Sequence, residues 1–200
     1  MNTLIDSIRL TLLGRSVWPA IAEAKPSVAN VLFWQTIPLA LIPGVCWYFG
    51  VTQFGWSVAG DPVRLTTESA LPMCMLFVLA CVLGVLFLGY MVHWMSGTYG
   101  DQATLRQGVT LISFTATPFF LAGVIGLYPI LWLDILVGLG VACYCIYLLY
   151  TGVGPVMDVI SERGFLYASA VFAVALVAFV GLLCATVLLW EFGPSPEYRY

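Results

Sequence analysis

Apolar residues in this chain neither alternate nor confine themselves to one helical face. They fill five long blocks almost empty of charge, at about 28–51, 69–95, 108–127, 129–153 and 164–190. Each block reaches the ~20 residues that a helix needs to cross a hydrocarbon core. Barrel strands would be about ten residues long and alternate in hydropathy. A bilayer admits only helices or closed barrels as spanning structures, because every backbone polar group must be satisfied internally. The pattern therefore predicts an all-α polytopic membrane helix bundle of five transmembrane helices, occupying residues 28–190.

Residues 1–27 form a head and 191–200 a short tail. In the head, Met1, Leu4, Ile5, Ile8 and Leu12 recur at helical spacing, with Asn2, Thr3, Asp6 and Arg9 elsewhere. That spacing predicts an N-terminal amphipathic helix lying in the interface, with Trp18 as an interfacial anchor. A cleavable leader fits poorly, since the apolar stretch 10–13 is shorter than the ~7–15 residues of such a segment.

Composition sharpens the class. Hydrophobic residues make up 62% and charged residues 8%, against about 25% charged in soluble domains. A net charge of −3, with no basic cluster, argues against nucleic acid as a partner. The flanking cations give a direction. Arg9, Arg15, Lys25, Arg106 and Arg163 fall on the side of the head, and only Arg64 and Arg199 on the other. By the positive-inside rule the head is expected in the cytoplasm and the C-terminus outside. All six cysteines lie within apolar blocks, where cysteine behaves as a small apolar residue.

Candidate chemistry is sparse. Asp134 is the one carboxylate within a block, and an intramembrane ionisable group is a functional candidate by default. Its site near the start of the fourth helix also suits the helix dipole. Thr115, Thr117 and Pro118 give the third helix a polar, kinked midsection. Tyr144 lies deep in the fourth helix, where its hydroxyl needs a partner, and Thr115 and Thr117 are the expected ones. Asp134, Thr115, Thr117, Tyr144 and His93 thus form the candidate polar path. His93, the only histidine, reads otherwise as an interfacial anchor. Neither it nor Met73, Cys74 and Met75 supplies enough ligands for a metal. Ser169, Ala173, Gly181 and Ala185 form a small-residue stripe on the fifth helix, the usual close-packing face in lipid. No nucleophile–base pair, phosphate loop or cofactor motif is present, so no enzyme and no cofactor is expected.

The run "ATPFFLAGVIGLYPILWLDILVGLGVACYCIYLLYTGVGPVM" carries a Thr-Pro in the third helix, a Tyr-Pro hairpin and an aromatic ending to the fourth. With the segment "VTQFGW", it resembles the bacterial branch of the Yip family of Ypt/Rab-interacting membrane proteins. The resemblance implies five spans, a cytoplasmic N-terminus and a short outer C-terminus, in a bacterial inner membrane. Rab-type GTPase binding by eukaryotic relatives depends on an acidic "DLYGP"-type head motif. This head lacks it, so that partner is not carried over. The expected function is membrane organisation or partner scaffolding, with a second copy or other membrane proteins as partners beside the bilayer. A small transporter or channel using the polar path is the alternative.

Overall fold

A computed structural model describes residues 3–56, 62–99, 103–192 and 196–199. Met1, part of the expected head face, lies outside them. Among the described residues, α1 (Thr3–Leu13) and α2 (Trp18–Ala24) form the head. Five apolar helices follow: α3 (Val28–Phe54), α4 (Thr67–Tyr99), α5 (Leu105–Leu127), α6 (Leu131–Met157) and α7, which runs from Ser161 to Phe192. Two short strands, β1 (Arg64–Leu65) and β2 (Tyr198–Arg199), pair antiparallel and bring the tail to the connection before α4.

The α3 helix is irregular for a reason visible in its sequence. Pro38 and Pro43 cannot donate to the helical ladder. The turn 32–36 widens into a π-helix, and the Ile37 N–H reaches back five residues to the Leu32 carbonyl. A second π turn covers 50–54 and ends at Gly55. Such wide turns occur mostly as single insertions within α-helices. Here the first one sets both Gln35 and Thr36 inward, each with no exposed surface.

The centre of the bundle is α5. It begins with a capping box, in which Thr104 and Gln107 satisfy each other's backbone donors. It packs against α3, α4, α6 and the head. Its close neighbours need glycine. A Cβ on Gly108 would collide with the Gly89 carbonyl, and one on Gly89 would meet Val109 at 2.7 Å. Small residues at such crossings let backbones approach, which is how helices associate where lipid offers no hydrophobic drive.

The α7 helix is different. Tyr167, Ala168 and Val171 are buried against the bundle, while positions 179–185 are all exposed. Within the chain the small-residue stripe makes little packing contact. Ser169 is half-buried and bonded to Tyr150, but Ala173, Gly181 and Ala185 are exposed. Nothing lies within 4 Å of a Cβ placed on Gly181. Tyr167, Ala168 and Val171 make the intrachain contact instead.

The head also departs from expectation. It docks on α5, α6 and the π turn of α3. Leu10 is fully buried and Leu4 packs on the core, whereas Ile5, Ile8 and Leu12 stay exposed. Of the four described residues expected on one side, Leu4 turns to the core while Ile5, Ile8 and Leu12 face outward. Trp18 is not an interfacial anchor: it has no exposed surface and sits in a notch where a Cβ on Gly152 would meet its ring at 2.6 Å.

Candidate functional site

The π turn of α3 and the middle of α5 meet in a polar seam inside the bundle. Two relays of hydroxyls and amides run across it. In one, the Gln35 amide nitrogen donates to Thr117 Oγ1 at 3.4 Å, and that hydroxyl donates to the Ser113 carbonyl at 3.2 Å. In the other, the Thr36 and Ser113 hydroxyls lie 2.6 Å apart, and Thr36 donates to the Val31 carbonyl at 3.2 Å. With the Thr36 proton directed to that carbonyl, Ser113 is the donor between the two hydroxyls. All four side chains are buried.

The seam follows from the sequence locally. Ser113 and Thr117 are four residues apart and so share a face of α5. Gln35 and Thr36 are adjacent, which an ordinary helix would splay by about 100°. The wide π turn presents both to α5. The Val31 carbonyl, just before the widened turn, accepts the Thr36 hydroxyl. Among the described residues, five buried side-chain polar atoms have no protein partner: Gln35 Oε1 in the seam, Thr115 Oγ1 and Thr110 Oγ1 elsewhere on α5, and Asp6 Oδ2 and Trp18 Nε1 in the head.

The residues of the expected polar path are distributed rather than assembled. Thr115 and Thr117 are buried on α5, and only Thr117 joins the relays. Tyr144 does not bond either threonine. Its hydroxyl donates to the Thr11 carbonyl of the head at 2.9 Å, because the turn 14–17 that follows α1 lies against α6 and brings the end of α1 there, where α5 was expected to supply the partner. Asp134 stands in the first turn of α6, half-exposed among exposed Trp132, Ile135 and Leu136. Thr117 is ten residues before the hairpin at Leu127, roughly 15 Å along the helix. His93 is exposed at the other end of the bundle, its Nδ1 2.6 Å from the Ala103 carbonyl. A carbonyl only accepts, so Nδ1 carries the proton in this contact. The histidine thereby ties the end of α4 to the start of α5.

Gln35, Thr36 and Ser113 were not singled out from sequence. One signal was available: a glutamine followed by threonine two residues before Pro38, in an otherwise apolar block, is a polar pair that a membrane interior must satisfy.

The comparisons with known proteins bear on the whole of this arrangement. The Yip1 domain matches residues 11–182. The chain belongs to the Yip1 family. Two curated relatives, both described as inner membrane protein YohC, from Escherichia coli strain K12 and Escherichia coli O6:H1, are 33% identical over 156 residues, covering 78% of this chain and 80% of theirs. No solved structure matches. The family match takes in the second half of the head and all of the seam, and ends within the exposed part of α7.

Proposed function

We propose that this chain is a non-enzymatic integral protein of a bacterial inner membrane that organises the bilayer or scaffolds membrane partners. Its N-terminal head would lie in the cytoplasm and its C-terminus in the periplasm, following the distribution of flanking cations. The inner-membrane location is supported by the relatives' description.

The observation that carries the reading is the head helix. Leu10 and Trp18 fix it to the bundle, while Ile5, Ile8, Leu12 and Leu13 are left exposed on its outer side. An apolar ridge held rigidly beside the spans inserts extra volume into one leaflet only. A free amphipathic helix would partition on and off, whereas a docked one is a permanent wedge. The relays in the seam favour the same reading, since Thr117 and Ser113 spend their donors on this chain's own backbone and side chains.

Proteoliposomes test it. Wild-type protein is expected to narrow vesicle diameter, measured by electron cryo-microscopy, and an Ile5→Ser/Ile8→Ser/Leu12→Ser variant to lose that effect while remaining folded. Asp134→Asn and Thr117→Val should behave as wild type. Unchanged vesicles with the wild-type protein, or an ion flux that Asp134→Asn abolishes, would sink the scaffold reading.

A further inference from the structure

At the head-side end of the bundle, outside the polar seam, α2, α5 and α6 enclose a small hollow of about 30 Å³. Lys25, Arg106, Gln107 and Thr110 supply its polar lining, with Ile21 and Val156 among its apolar walls. Among the described residues no carboxylate lines it. Its volume exceeds the ~10–15 Å³ needed for one water-sized occupant and is too small for a whole phosphate group.

The polar groups around it are unequal. Gln107 is fully engaged: its Oε1 accepts from the Thr104 N–H at 2.8 Å and hydroxyl at 2.7 Å, and its amide donates to the Val156 carbonyl at 2.9 Å. Arg106 gives one N–H to the Lys25 carbonyl at 3.3 Å, which draws the two cations together. Among the described residues neither cation forms an ion pair. Thr110 is 3% exposed and its hydroxyl has no partner. A helical threonine ordinarily donates to the carbonyl four residues back, and this one does not. The hollow also opens beside the N-terminus of α5, where the helix dipole and free N–H groups favour an anion.

We propose that this hollow is a binding site for the phosphate of an anionic phospholipid headgroup. The phosphate rests at the mouth, paired with Arg106 and Lys25, and one of its oxygens enters the hollow to accept the Thr110 hydroxyl. The hollow lies at the ends of spans, where headgroups are expected: Arg106 follows the first residue of α5, Val156 precedes the last residue of α6, and Lys25 lines the same hollow. The site depends on the spans and not on the scaffold reading, so either can fail alone.

The test uses the full chain purified in neutral detergent and offered phosphatidylglycerol, phosphatidylcholine or inorganic phosphate, with retained lipid read by native mass spectrometry and protection by thermal shift. Wild-type protein should retain phosphatidylglycerol over phosphatidylcholine. A Lys25→Gln/Arg106→Gln variant should lose about twenty-five-fold in affinity, at about fivefold per cation near a charged surface. Thr110→Val should lose about fivefold or more, while Thr110→Ser, which keeps the hydroxyl, should bind as wild type. Equal retention of phosphatidylglycerol by all four proteins would overturn the site. So would equal retention of both lipids by the wild type. Protection by inorganic phosphate as strong as by phosphatidylglycerol would overturn the lipid assignment.

Discussion

The α5 and α7 helices are both long and apolar enough to cross a membrane, yet they play opposite parts. Of the most apolar window of α5, 61% is buried inside the protein, against 6% for α7. Polarity explains the difference. The α5 helix carries Thr110, Ser113, Thr115 and Thr117 within a few turns, groups that lipid cannot satisfy and that must therefore face protein. Beyond Ser169, α7 offers lipid an almost purely hydrocarbon surface. Here the two most hydrophobic helices, α4 and α7, are among the least buried, the reverse of the rule in water.

That contrast can be broken at measurable cost. Trp18→Ala should have the largest effect, about 3 kcal/mol of unfolding free energy, because it empties the notch beside Gly152 and Leu111 that holds the head onto the core around α5. Mixed-micelle denaturant titration followed by circular dichroism would read it, and a loss under 1 kcal/mol would mean the head is only loosely attached. Gly108→Val comes next, at about 2–3 kcal/mol, since the added carbons meet the Gly89 backbone rather than a movable side chain. Unaltered thermal stability would show that α4 and α5 cross less closely.

The Thr36–Ser113 pair is smaller. A double-mutant cycle of Thr36→Val and Ser113→Ala is expected to return a coupling of about 0.6 kcal/mol, the usual size for hydrogen bonds between membrane helices. A coupling near zero would make the seam a passive accommodation of polar residues. Gly181→Val on α7 should change stability by less than about 0.5 kcal/mol, as a surface substitution does. A larger loss in lipid, absent in dilute detergent, would reveal a contact between copies along the stripe.

The five spans were legible because hydrocarbon thickness imposes one length on every one of them, and 28–51 or 164–190 could be read without knowing any neighbour. Which face of each helix turns inward was less legible. Spacing put Ser169, Ala173, Gly181 and Ala185 on one stripe but could not say that Tyr167, Ala168 and Val171 would be chosen for packing. Likewise Tyr144 was rightly seen to need a partner, and Thr115 and Thr117 were the near candidates along the chain. The partner is Thr11, 133 residues away in sequence, and only the docking of the head brings it there. The burial of Gln35 is not legible in the sequence because it depends on a π turn, a departure from the 3.6-residue period on which face assignments rest.

The pairing of Arg64 with Arg199 and Leu65 with Tyr198 has a practical consequence for anyone determining sidedness. Compartment reporters placed in the segment before α4 and at the end of the chain are not independent witnesses, because the ladder holds both in one place. A disagreement between them would indicate that the fused reporter had pulled the ladder apart, rather than that the protein adopts two orientations. An unbiased assay would pair a label in either segment with one near Asp158, at the opposite end of α6.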